Sequence, residues 1–279
     1  MEDEVERIAA IPDRSERLRA ATAELATAQR TMNELARLRR ALIQELHDEG
    51  WSYAKIAEAA GLSRGRIHQV RHQGPAPEGA FFGTHPLRIV TPLKVEQRDA
   101  RPVVAMEDVT ASQRLGDFGR SLGFDVDFEQ IPLTGDVDLN RDGLIVIAGP
   151  RISDRIGAVL EADPALGFTK IGDSWALSDR RNGTVHTSGS EASPQRPYDV
   201  AYLGRLPRPD RQGLVTILTG IHPPGSLGVV DYVVNDLAAL HRDTGNGPFS
   251  VLFRVDYDSE TREPQSVERI SPVYHHQKG

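Results

Sequence analysis

The apolar positions of this chain change their period along its length. From Ser15 to Glu49 there is neither proline nor glycine, and Leu18, Ala21, Leu25, Ala28, Met32, Leu35, Leu42 and Leu46 fall at heptad a and d spacing, interrupted by Arg39. The pattern predicts a long helix or a pair of helices. Alanines and an arginine make a weak seam, so the stripe is expected to pack on the next helices of its own chain. A short coiled-coil dimer is the alternative.

The segment GWSYAKIAEAAGLSRGRIHQVRHQ follows. Ser52 reads as an N-cap and Tyr53–Ala60 as a short helix with Ile56 and Ala57 inward. Gly61 permits a tight turn, Leu62 points into a small core, and Ser63 caps a second helix buried through Ile67 and Val70. The Pro- and Gly-rich stretch GPAPEGAFFG then reads as a linker. Beyond it, short β-rich runs (LRIVTPL, RPVVAME, DVDFEQIPL, GLIVIAG, DSWALSD, DVAYLGRL, GLVTILTG, SVLFRVDY, VERISPVY) alternate with helices near Ala111–Leu122, Ser153–Glu161 and Ser226–Leu240. This alternation predicts a mostly parallel sheet covered on both faces, with an antiparallel extension through Trp175 to Leu206.

Composition narrows the function classes. At 279 residues two domains are expected, and 39% apolar with 26% charged residues is ordinary for a globular chain. There is no cysteine, which removes disulfides, thiolate zinc sites and a cysteine nucleophile. No apolar run approaches membrane-spanning length and the start is acidic, so a cytoplasmic protein without membrane partners is expected. The net charge of −7 argues against a chain coated for nucleic acid. Between Ala59 and Gln73, however, there is no acidic residue, while Arg64, Arg66, His68, Arg71 and His72 are present. An acid-free arginine face suits phosphate neutralisation, and Tyr53, Lys55, Ser63, Arg64, Arg66, His68, Gln69 and Arg71 are the candidate DNA contacts.

WSYAKIAEAAGLSRGRIHQVR resembles the region 4 helix-turn-helix of sigma-70-type factors and related regulators, over about Asp48–Gln73. The resemblance implies double-stranded DNA and, through it, RNA polymerase as partners; the other regions of a sigma factor have no counterpart here. The stretches VVAMED, GPRIS, DVAYLGRLPRPD and GIHPPGSLG together resemble a little-characterised domain of actinobacterial helix-turn-helix regulators, for which no ligand is implied. Abundant alanine and an excess of arginine over lysine look like a high-GC bacterial source.

Two strand-loop-helix junctions carry the candidate chemistry of the second domain. In DGLIVIAGPRISDRI and GLVTILTGIHPPGSLG a β run ends at a glycine loop that opens a helix, where unpaired amides and the helix dipole favour anions. Gly149, Pro150, Arg151, Ser153, Gly220, His222, Gly225, Ser226 and Gly228 are therefore candidate ligand contacts. Neither loop has dinucleotide or P-loop spacing. PPGSLG is similar to the PGGxGT loop of lysine-decarboxylase-like nucleotide-cleaving enzymes, but Val229 and Val230 stand where an acid is expected. Glu107 and Asp108, at the end of RPVVAMED, are placed at a strand's carboxyl end, where they could touch a ribose hydroxyl or a base amine; a helix N-cap is the simpler role for Asp108. Trp175 and Arg205 could line the pocket, although a tryptophan in an alternating strand is more often core, and His275 and His276 are expected to form a solvated tail.

The expectation is thus a multidomain α plus α/β protein. Residues 1–74 form a helical DNA-binding domain, 75–86 a linker, and 87–279 a Rossmann-like sheet flanked by helices. It is expected to act as a homodimeric DNA-binding regulator that senses a small anionic or nucleotide-like ligand, with no cofactor, no metal and no catalytic residue. The alternatives are a nucleotide- or NAD-processing enzyme with a helix-turn-helix arm, and an adaptor on RNA polymerase.

Overall fold

The computed structural model describes residues 2–63, 67, 81–83, 86–96, 98–189 and 197–277. The chain divides into two compact units, Met1–Gly74 and Pro75–Gly279.

The first unit contains α1 (Glu2–Ala9), α2 (Arg14–Asp48) and α3 (Tyr53–Ala59). Asp13 caps α2, its carboxylate accepting from Glu16 N at 2.7 Å. At the other end, Trp51 N donates to Leu46 O and Gly50 N to His47 O, with Gly50 at φ +90°, which is a Schellman ending. The same device ends α3: Leu62 N donates to Ala57 O and Gly61 N to Glu58 O, with Gly61 at φ +63°. Ser52 caps α3 by accepting from Lys55 N at 3.3 Å. Ile43, Ile56, Ala57 and the helical Ile67 form one buried cluster, with Leu46, Trp51, Tyr53 and Leu62 against it. The heptad stripe is not covered as expected. Leu18, Leu25, Leu35 and Leu42 are exposed, and among the described side chains of the stripe only Leu46 joins the α3 cluster, because α3 packs on the side of α2 marked by Ile43.

The second unit is built on an eight-stranded mixed sheet. β1 (Leu87–Pro92) pairs in parallel with β4 (Val126–Ile131) and β5 (Leu144–Val146), and β5 with β10 (Leu214–Gly220). From β10 onward the sheet is antiparallel, through β9 (Tyr198–Pro207), β11 (Phe249–Tyr257) and β12 (Pro264–Arg269), with β13 (Tyr274–His275) also on β11. Strands buried on both faces explain the unbroken apolar runs in the sequence. α4 (Met106–Ser121) and α6 (Pro223–Thr244) bury Leu115, Phe118, Leu227 and Val233 on the face of Leu87, Ile89 and Ile145. α5 (Asp154–Glu161) buries Ile156, Val159 and Leu160 on the opposite face, with Val90, Leu144 and Val146. That second face also receives a separate antiparallel sheet of β6 (Leu166–Ile171), β7 (Ser174–Asp179) and β8 (Thr184–Thr187).

Two expectations are corrected. RPVVAMED contributes only β3 (Pro102–Val103), which pairs with β2 (Lys94–Val95) in an exposed two-stranded ribbon outside the main sheet. Glu107 and Asp108 therefore sit in the first turn of α4, not at the end of a core strand. Phe81 and Phe82, within the linker composition, are buried in the core of the second unit, Phe81 packing at a tilt on Phe249 and Phe82 meeting Phe118 and Phe124 edge to face. The rest of the linker is largely outside the described residues.

Candidate functional site

β1 and β5 are neighbours, and the helices that follow them, α4 and α5, cover opposite faces of the sheet. The carboxyl ends of such a strand pair leave a crevice, the place where open α/β sheets bind ligands. A cleft of about 40 Å³ lies there. Pro92 borders it from the end of β1 and Lys94 from β2, Gly149, Pro150 and Arg151 from the loop after β5, Thr219 and Gly220 from the end of β10, and His222 and Ser226 from the start of α6. Asp108 closes it from α4, and Phe168 with Trp175 forms an aromatic wall, the rings meeting edge to face at 6.1 Å.

The cleft is bordered by a partly buried ion pair: Lys94 Nζ donates to Asp108 Oδ2 at 2.5 Å, with the Lys94 side chain 25% and the Asp108 side chain 3% exposed. Burial raises the Asp108 carboxyl above its usual range, and the Lys94 ammonium only partly opposes this. Arg151 is exposed at the rim and makes no ion pair or hydrogen bond with the described residues.

The loop after β10 spends its polar groups internally. Asp199 Oδ2, fully buried, accepts from His222 N at 2.8 Å and Gly225 N at 3.1 Å, and Gly220 N donates to Ser226 Oγ at 2.9 Å. A protein carboxylate therefore occupies the N-terminus of α6, the position at which the sequence places an external anion. Removal from water pushes the Asp199 carboxyl up to about 7, against the amides of His222, Val200 and Gly225 and the Ser188 hydroxyl, which lower it. Gly225 and Gly228 do not line the cleft. A Cβ at Gly225 would meet Asp199 Oδ2 at 2.3 Å, and one at Gly228 would meet Val255 Cγ1 at 2.3 Å, so both glycines serve close packing.

The loop after β5 differs. α5 has no side-chain cap, and the buried Ser153 Oγ has no hydrogen-bond partner. Ser153 is buried and does not line the cleft. Glu107 is also outside the cleft, paired with Arg262 Nε at 3.1 Å.

Arg205 is not a pocket residue. Its guanidinium, in the buried strand β9, donates to Phe81 O at 2.8 Å, Gly245 O at 2.5 Å and Gly247 O at 2.8 Å. With no carboxylate beside it, burial lowers its pKa to about 10. His276 is not solvated either: its Nε2 lies 2.9 Å from Ser250 Oγ and 3.4 Å from Asp163 Oδ1. Tyr202 Oη donates to Asp163 Oδ2 at 2.8 Å in the same cluster. Ser and Asp meet the same ring nitrogen, which is not the two-nitrogen relay of a Ser-His-Asp triad. Burial disfavours the charged ring and lowers the His276 pKa, with Asp163 acting in the opposite direction.

A larger cavity of about 760 Å³ lies at the opposite, amino end of the parallel strands, between Val137, Leu139, Val159, Leu206 and Pro207. Its buried cation, Arg208, is spent on Asp142 at 2.7 Å and Asp210 at 3.2 Å.

In the helical unit, Tyr53 stacks on His47 at 4.1 Å and Lys55 lies 3.6 Å over the Trp51 ring. Ser63 O accepts from Ile67 N at 3.0 Å. Arg64, Arg66, His68, Gln69 and Arg71 lie outside the described residues. Among the described residues no group of His, Asp and Glu is placed to hold a metal ion, and no helix is long and apolar enough to cross a membrane. No family model matches the chain, and comparison with curated proteins and with solved structures gives no match either.

Proposed function

We propose that this protein is a DNA-binding transcriptional regulator. Its helical unit carries a helix-turn-helix, and its α/β unit, Rossmann-like in the parallel half, senses a small anion. The observation that carries the reading is the turn after α3. A Ser52-capped helix ends in a Schellman turn at Gly61, and Leu62 and Ile67 close the same small core. Such a core fixes the angle between two helices, which a helix-turn-helix needs before its second helix can enter the major groove. The acid-free run with Arg64, Arg66 and Arg71 supplies the phosphate-neutralising charge.

For the sensed ligand, the loop after β5 is the favoured half of the site, with Arg151 unpaired at the rim and Lys94 close by. About 40 Å³ has room for a few water molecules, each of which needs roughly 10–15 Å³ of such space. A small inorganic or carboxylate anion suits this cleft better than a nucleotide, for which the Phe168–Trp175 wall would have to move. Binding there favours one state of the protein over another and so alters its DNA affinity.

The test is binding to double-stranded DNA from the protein's own upstream region across a salt series. Affinity is expected to fall linearly in log–log form with salt, and Arg64→Ala and Arg66→Ala to weaken it without lowering the melting temperature. Absence of salt-dependent binding would overturn the reading; co-purification of RNA polymerase in that case would favour the adaptor.

A further inference from the structure

The heptad stripe of α2 is the most extended apolar feature that the helical unit leaves uncovered. Leu18 and Leu25 are 69% and 71% exposed, and Leu35 and Leu42 are 59% and 46% exposed. Single exposed leucines need no explanation, but a heptad series over one 35-residue helix is long enough for a helix pair.

The identity of the residues selects both the occupant and its direction. If a second copy lay parallel, each layer would meet itself. Arg39 would face Arg39, and Ala21 and Ala28 would face their own counterparts, giving a like-charge contact and two hollow layers. An antiparallel copy, related by a two-fold axis near the middle of α2, sets a positions against d positions. Leu18 then lies opposite Leu42 of the second copy and Leu25 opposite its Leu35. The large Arg39 meets the small Ala21, with Glu24 on its flank, and Arg17 falls beside Glu45 of the second copy. Every one of these matches occurs twice by symmetry.

We infer that α2 pairs with α2 of a second copy of this chain in an antiparallel, two-stranded arrangement. The inference names the surface and direction of the dimer expected of a regulator. It is measured without DNA, so failure to bind DNA leaves it standing and a monomeric protein overturns it while leaving DNA binding open.

Because the chain has no cysteine, single introduced cysteines report contacts without background. Leu18→Cys and Leu42→Cys proteins, one carrying an affinity tag, are mixed and oxidised. The antiparallel pair gives a disulfide between the two variants and none within either variant alone. Disulfides of Leu18→Cys with itself, or no disulfide in any mixture, overturn the proposal. In light scattering the unmodified protein is expected at twice the chain mass, and Leu25→Asp at the chain mass with unchanged helical circular dichroism. A dimer that survives Leu25→Asp places the interface elsewhere and also overturns it.

Discussion

The two glycine loops of the α/β unit follow neighbouring parallel strands, each opens a helix, and each carries a serine near the first turn. Loop 220–226 is closed on itself: Asp199 takes the amides of His222 and Gly225, and Ser226 takes that of Gly220. Loop 149–153 leaves Ser153 Oγ without a partner, α5 without a side-chain cap, and Arg151 at the rim. One loop is a structural joint with its own acceptor, Asp199, built in, while the other leaves Arg151 exposed at the rim of the cleft. Glycine spacing alone does not distinguish these roles; the difference comes from Asp199, a residue more than twenty positions upstream.

Substitutions at the two loops should separate them. The largest effect is expected from Gly225→Ala, whose Cβ would meet both the buried Asp199 carboxylate and the Gly220 backbone; overpacking of this kind costs about 3 kcal/mol. Gly149→Ala meets only Thr219 Oγ1 within 3 Å and should cost about 1 kcal/mol in urea denaturation. Equal costs would dissolve the distinction.

Asp199→Asn sharpens it through pH. The folded-state pKa of about 7 lies above the ordinary carboxylate value near 4, so the folded state holds this proton more tightly than the unfolded chain. The group's contribution to stability is most favourable below pH 4 and is lost as pH rises to 7. Between pH 4 and 8 the stability of the native protein relative to Asp199→Asn should fall by on the order of 3 kcal/mol. A pH-independent difference would mean that Asp199 remains ionised.

Lys94→Gln removes the partner of a nearly buried carboxyl and should cost about 2 kcal/mol at pH 8, and less toward acid pH, where the Asp108 carboxyl, raised by burial, takes up a proton and needs the ammonium less. Thermal unfolding at pH 8 and at acid pH measures the difference. The smallest structural effect belongs to Arg151→Ala, within about 0.5 kcal/mol as for other exposed positions. Its consequence should appear instead as lost quenching of Trp175 by inorganic phosphate in a Trp51→Phe background. Unchanged quenching would remove Arg151 from the anion site.

Local signals carried much of the secondary structure. The Ser52 cap, the Gly61 turn and the inward Ile56 and Ile67 follow from spacing alone, because each depends on residues within one or two turns. The apolar runs at Leu87, Leu144 and Leu214 likewise marked strands buried on both faces. RPVVAMED misled because a β-rich composition does not say whether a run reaches the main sheet or, as here, stops in an exposed ribbon. The cleft was legible only in part. Arg151, His222 and Gly149 could be placed from strand-loop-helix order, but Asp199 enters through the antiparallel pairing of β9 with β10, where Ala201 faces Gly220. Asp199 and Arg205 at either side of the buried run VAYLG were nevertheless signals in themselves, since charged groups on a core strand need internal partners.

The fastening of Arg205 gives α6 a mechanical character. The helix spans 22 residues, about 33 Å, with its first turn at the cleft beside His222 and Ser226. At its far end Arg205 clamps the carbonyls of Gly245 and Gly247 together with that of Phe81, where the described chain of this unit begins. Pinned at both ends, α6 is a strut between the cleft and Phe81, and Asp236, at φ −121° and ψ 22°, marks a kink along its length.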